Sequence, residues 1–144
     1  MRNIFILNGP NLNLLGQREP EIYGHTTLDE IRNWCTADAA ELGMSIDFRQ
    51  SNFEGEIIEA IHAARQEAVG IIINPAAFTF TSIAILDALK MFNGPKIELH
   101  ISNVHQREPI YHKSLVSATA TAVMAGFGAY GYRLALRAMA EMTA

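Results

Sequence analysis

The chain carries a single cysteine and a single tryptophan, and nowhere in its 144 residues do 18 apolar side chains run together. Cys35 alone makes an intrachain disulfide and a thiolate metal cluster impossible. Its place beside Trp34, in a stretch with helical spacing, marks it as core. The short apolar runs predict no membrane-crossing helix and no membrane partner. Met1-Arg2 leads into a strand-like run without the apolar core and small-residue cleavage site of a secretory leader, so a cytoplasmic protein is expected. Lysine and arginine form no cluster able to track a phosphate backbone, and the net charge is −4. Nucleic acid is therefore not an expected partner. No repeat, low-complexity tract or linker divides the chain, which reads as one domain over 1–144. The last third is rich in Ala, Gly and Met, which suits a homo-oligomer, although a tightly packed monomer would read the same.

What is present is an alternation. Strand-length apolar runs recur at Asn3 to Leu7, Ser45 to Arg49, Gly70 to Asn74, Lys96 to Ile101 and, less sharply, Thr121 to Met124. Helix-period stretches span Leu28 to Leu42, Glu54 to Glu67, Ser82 to Phe92 and Ala129 to Met142. Thr27 followed three residues later by Glu30 predicts a capping box, and Gly43 a helix stop. Runs such as Gly-Ile-Ile-Ile-Asn are apolar throughout, as in strands covered on both faces, so the fold class is α/β with a doubly wound parallel sheet. The common five-strand order 2-1-3-4-5 places strands 1, 3 and 4 side by side, with ligands beyond their carboxyl ends. The segments leaving those ends are Asn8 to Gly24, Asn74 to Ser82 and His100 to Ser114.

Each segment is polar. In the first, Asn11 follows a Gly-Pro turn, where its amide either faces a ligand or bonds its own turn. Leu15 to Tyr23 contains Gly16 and ends at Gly24, the build of a hinged flap. A phenol is a poor base at neutral pH unless a cation stabilises the phenolate, and Arg18 lies close to Tyr23 in sequence. The same residues also fit a tyrosine packed on the domain beside an exposed arginine. In the second segment Asn74 ends the strand, and Thr79, Thr81 and Ser82 offer hydroxyls to an oxygen-rich ligand or to a helix cap. Asp87 falls on the following helix, where a solvated face is the simple account. In the third segment Glu98 and His100 are two apart on a strand, so they point the same way and the carboxylate can orient the imidazole. A charged glutamate on a central strand is costly without a partner. Ile101 and Ser102 then leave the strand with free N–H groups suited to a carboxylate, and Arg107 adds positive charge. An acid facing a base across a small pocket suits elimination of water from a β-hydroxy carbonyl compound.

The stretches "LNGPNLNLLGQREPEIYG", "FRQSNFEGEIIEAIHAA", "IINPAAFTFTS", "IELHISNVHQRE" and "AGFGAYGYRLAL" follow one another in this chain, and together they resemble the type II 3-dehydroquinate dehydratases nearly end to end. The resemblance implies a flavodoxin-like fold and a shikimate-pathway lyase, working without metal or other cofactor, that converts 3-dehydroquinate to 3-dehydroshikimate through an enolate. It makes Tyr23 the base, with Arg18 and Arg107 favouring its phenolate. His100, oriented by Glu98, becomes the acid, and Asn11 holds a water at the enolate. Asn74, Ile101 and Ser102 seat the substrate, Asp87 reaches a neighbouring subunit's site, and trimers group into dodecamers.

Two positions depart from the family. Its usual Thr-His-Thr-Ser reads Thr79-Phe80-Thr81-Ser82 here, and Tyr111 stands where an arginine is ordinarily found. In the family both replaced residues bind substrate hydroxyls, so the substrate-binding positions Phe80 and Tyr111 become aromatic. An unpaired hydroxyl against a phenyl ring costs roughly 1 to 3 kcal/mol. Three readings follow: a dehydroquinase with an unusual hydroxyl-binding wall; a divergent homologue using the same machinery for elimination or hydrolysis on a less hydroxylated ring carbonyl; and an inactive binding relative.

Overall fold

The computed structural model describes all 144 residues. Five strands, β1 (Arg2–Asn8), β2 (Met44–Gln50), β3 (Gly70–Asn74), β4 (Lys96–His100) and β5 (Ala122–Ala125), form one parallel sheet in the order 2-1-3-4-5. The helices are α1 (Pro20–Tyr23), α2 (Leu28–Glu41), α3 (Glu54–Glu67), α4 (Ile83–Lys90) and α5 (Gly131–Met142).

The apolar core is split in two by the sheet, because alternate side chains of a strand point to opposite faces. Ile4, Ile6, Ile72 and Leu99 pack with Ile31 and Cys35 of α2 and Leu136 and Met139 of α5. Phe5, Leu7, Ile71 and Ile73 pack on the other face with Ile57 and Ile61 of α3 and Ile85 and Leu89 of α4. Apolar side chains pointing both ways from β1 and β3 are what the continuous runs in the sequence encode. Burial pushes the Cys35 thiol up to about 12, the behaviour of a packing residue and not of a nucleophile.

The capping box of α2 is formed, with the Glu30 N–H donating to Thr27 Oγ1 at 3.2 Å and the Thr27 N–H to Glu30 Oε1 at 3.3 Å. Differences from the expected boundaries lie at element ends. Ser82 is the cap of α4, not its first residue; it accepts from the Ile85 N–H at 2.9 Å. Gly128–Tyr130 form a 3-10 turn ahead of α5. Ile101 has left the sheet ladder by the time β4 ends at His100. The flap contains the single helical turn α1, started by Pro20, whose fixed φ suits a first helical position.

Gly9 joins the first two segments. A Cβ there would lie 2.2 Å from the Pro75 carbonyl oxygen, so only glycine lets the β1 and β3 exits pass this close. That contact brings Asn11 and Ala76 to one cavity.

Candidate active site

The cavity lies beyond the carboxyl ends of β1, β3 and β4, encloses ≈ 90 Å³, and draws its walls from all three polar segments. Asn11, Arg18, Tyr23, Asn74, Phe80, His100, Ile101, Ser102, Arg107 and Tyr111 all line it. Two of the expected site residues do not. Glu98 sits one layer behind His100. Asp87 lies on the outer face of α4, 68% exposed, with its carboxylate 3.9 Å from Lys90 Nζ.

One wall carries His100. Glu98 and His100 share the cavity-facing side of β4, and Glu98 Oε2 lies 2.5 Å from His100 Nε2. That contact occupies Nε2, and Nδ1 has no protein partner. Since no fully buried side-chain nitrogen or oxygen in the chain lacks one, Nδ1 is not fully enclosed, and His100 is among the residues lining the cavity. The buried carboxylate is satisfied from three segments. Ser117 Oγ donates to Oε1 at 2.5 Å, Thr79 Oγ1 reaches Oε2 at 3.5 Å, and Ser114 Oγ holds Thr79 at 2.7 Å. Burial pushes the Glu98 carboxyl up, but hydrogen bonds from His100, Ser117 and Ser114 and the charge of His100 outweigh it and hold the group below its ordinary value. Glu98 therefore stays an anion facing the imidazole.

Tyr23 also lines the cavity. Arg107 Nη1 donates to the Tyr23 hydroxyl at 2.9 Å, and the Arg18 guanidinium carbon lies 4.8 Å from the Tyr23 ring centroid. Both descriptions left open for Tyr23 are met: it lines the cavity with two cations near it, and its ring also packs against the core cluster beside the half-exposed Arg18. Arg18 also approaches Glu19, but only to 3.8 Å.

The rest of the lining includes further polar groups. The Ile101 and Ser102 N–H groups make no hydrogen bond within the chain, leaving two adjacent donors at the cavity edge. Asn11 adopts a left-handed backbone (φ 70°) and its N–H is held by Asn52 Oδ1 at 2.9 Å, while its side chain caps nothing. The alternative that its amide serves its own turn is thereby overturned. Asn74 is fixed from behind: Nδ2 donates to Tyr132 Oη at 3.0 Å, Oδ1 accepts from the Ala76 N–H at 3.2 Å, and Tyr132 Oη donates to Asn8 Oδ1 at 2.7 Å. One N–H of Nδ2 is left for the cavity.

Of the two readings left open for the hydroxyls of the second segment, the helix cap holds for Ser82, which caps α4 and meets Glu54, while Thr79 is engaged with Ser114 and Glu98. Only Phe80 and two alanines join Asn74 at the wall from this segment. The Phe80 ring is stacked on His100, with centroids 6.3 Å apart and 23° between planes, and stands edge-on to Tyr111 at 5.5 Å and 74°.

Sequence reasoning missed the supports: Ser114, Ser117 and Thr79 around Glu98, and Tyr132 behind Asn74. The unpaired glutamate on a central strand was the only available signal for the first group. For Tyr132 it was a polar-tipped aromatic at an apolar position of the last helix.

The family model described as dehydroquinase class II matches residues 2–140. A 3-dehydroquinate dehydratase of Cereibacter sphaeroides is 61% identical over 141 residues, covering 98% of this chain and 96% of its own. A "3-dehydroquinate dehydratase 2" of Pseudomonas aeruginosa is 54% identical over 140 residues, covering 97% and 95%. Among solved structures, a type II dehydroquinase from Propionibacterium acnes superposes with a TM-score of 0.95 at 44% identity, covering 98% of this chain and 97% of that one.

Proposed function

The chain belongs to the class II dehydroquinase family, and from that premise we propose that the cavity eliminates water from 3-dehydroquinate to give 3-dehydroshikimate, with Tyr23 as base and His100 as acid. The observation that carries the assignment of roles is the meeting, across one cavity, of a hydroxyl held by an arginine and an imidazole held by a carboxylate.

The substrate carboxylate sits on the Ile101 and Ser102 N–H groups. Tyr23, with Arg107 and Arg18 beside it, takes the proton from C2, next to the C3 ketone. The C2–H electron pair moves toward the ketone, whose oxygen becomes the enolate oxygen, stabilised by a water on Asn11. The enolate then re-forms the ketone, a C1–C2 double bond forms, and the C1–O bond breaks. Its pair leaves with the hydroxyl, which takes a proton from His100 and departs as water. Tyr23 ends protonated and His100 one proton short, so a net proton transfer through solvent resets the site. Glu98 holds and orients the imidazole. Asn74 orients the ring, and Phe80 and Tyr111 form its aromatic wall.

Of the three readings, the dehydroquinase with an unusual wall is the one supported. Relatives bearing that name match nearly the whole chain, and the acid and base both have their partners. The second reading has only the aromatic wall in its favour, and the inactive relative has nothing.

The proposal extends to the whole chain, 1–144, acting as one domain in a homo-oligomer of trimers grouped as a dodecamer, with Asp87 reaching a neighbouring copy's site. Its exposure and its distance from its own cavity are in keeping with this, as are the exposed Val123, Phe127 and Tyr130. No helix is long and apolar enough to cross a membrane, and we place the enzyme in the cytoplasm, where its free Cys35 stays reduced.

The test is steady-state turnover of 3-dehydroquinate, followed by the ultraviolet absorbance of the conjugated enone product. Turnover at an ordinary enzymatic rate is expected; none in folded protein would leave the second reading standing.

A further inference from the structure

The Arg107 guanidinium carbon lies 4.0 Å from the Tyr111 ring centroid, the shortest cation–aromatic approach in the chain. We propose that Tyr111 is a positioning residue for the base, its ring being the shelf that holds Arg107 against the Tyr23 hydroxyl. The inference rests on the assignment of Tyr23 as the base and adds a residue that acts through Arg107.

Several observations converge on it. Arg107 makes no salt bridge, so no carboxylate fixes its head; the bond to Tyr23 and the ring beneath it are what hold the guanidinium. A long, flexible side chain loses rotamer freedom in taking one pose, and a planar cation lying on an aromatic face recovers part of that loss. The loop is folded to bring the two together. Pro109–Tyr111 form a 3-10 turn, with the Tyr111 N–H donating to the Glu108 carbonyl at 2.9 Å, and His112 Nε2 lies 2.6 Å from the Arg107 carbonyl oxygen. The shelf is itself braced. Phe80 stands edge-on to Tyr111 and stacks on His100, so an unbroken series of contacts runs from the acid through Phe80, Tyr111 and Arg107 to the base.

The ring, and not the hydroxyl, is the working part, because Tyr111 Oη makes no hydrogen bond while its face carries the guanidinium. The aromatic at this position therefore does more than fill the place of a hydroxyl-binding group. It moves the selective burden at residue 111 from reading the substrate to holding the residue that favours the phenolate.

The experiment measures kcat and KM on 3-dehydroquinate for Tyr111→Leu, Tyr111→Met and Tyr111→Phe, for Tyr111→Leu combined with Arg107→Ala, and for Tyr23→Phe, with unfolding midpoints alongside. Met fills the volume without a ring face and stands in should the Leu variant fail to fold. The shelf predicts that Leu and Met lower kcat by roughly tenfold, the size of one cation–π contact. KM then stays within about twofold, as for an interaction acting on the chemical step. Phe retains wild-type kcat, and in the Arg107→Ala background the Leu change costs nothing further.

Wild-type kcat in the Leu and Met variants would overturn the inference. So would an undiminished loss in the Arg107→Ala background. A Phe variant that falls as far as Leu would overturn it in favour of a hydroxyl that reads substrate. Failure of the underlying reading looks different: Tyr23→Phe would then turn over like the wild type.

Discussion

Tyr132 Oη donates to Asn8 Oδ1 at 2.7 Å, with neither residue exposed to solvent. The same hydroxyl accepts from Asn74 Nδ2 at 3.0 Å, so one side chain of α5 ties together the ends of β1 and β3, where the cavity begins. Burial pushes the Tyr132 phenol well above its ordinary range, and it serves as a neutral relay.

Tyr132→Phe keeps the ring and removes the relay, leaving two buried amides short of a partner. Stability is expected to fall by about 1–3 kcal/mol, measured by urea unfolding. KM for 3-dehydroquinate is expected to rise as Asn74 loses its orientation.

Glu98→Gln removes the anion behind His100. The folded-state carboxyl is held below its ordinary value of 4.5, so its stabilisation is complete above that pH and is lost as pH falls through the lower folded value. The wild type should lose stability over that acid window, and the variant's acid unfolding curve should be flatter there. At neutral pH the variant's kcat should fall by on the order of tenfold or more, since the charged group that orients His100 is gone.

Asp38 on α2 and Arg133 on α5 form a bidentate pair at 2.7 and 3.0 Å, with the Arg133 guanidinium carbon 5.5 Å from the Trp34 ring centroid. The hydrogen bond from Arg133 holds the Asp38 carboxyl below its ordinary value despite its burial. Arg133→Leu strands that carboxylate and should lower the thermal unfolding midpoint at neutral pH. The difference from the wild type should shrink in acid, where Asp38 is protonated.

Phe80→His places a polar ring against His100 and next to Tyr111. For a dehydroquinase that already works with an aromatic wall, kcat/KM on 3-dehydroquinate should change little or rise. A large loss would mean that the Phe80 stack, and not only its shape, holds His100.

How much of this was legible in the sequence follows from the range of the interactions. The strands of Gly-Ile-Ile-Ile-Asn type and the Thr27–Glu30 cap are written in local patterns and stand within a residue or two of where the patterns put them, while the 2-1-3-4-5 order follows from the commonest arrangement of such a sheet. The Glu98–His100 pair was legible because strand geometry fixes where residues two apart point. The fate of the hydroxyls after β3 was not, because Thr79 meets Ser114 thirty-five residues away, and local spacing is silent on such contacts. The shelf under Arg107 was hidden for the same reason. Position 111 reads as a replaced hydroxyl reader, and only the fold of the Pro109 turn turns its ring toward the guanidinium.

The most direct test of the central claim is turnover of 3-dehydroquinate by Tyr23→Phe beside the wild type, followed as enone absorbance, with circular dichroism to verify folding. The account predicts that removing one hydroxyl lowers kcat by roughly 10²- to 10⁴-fold, the usual worth of a positioned acid or base. A folded Tyr23→Phe protein that matches the wild-type rate would contradict it.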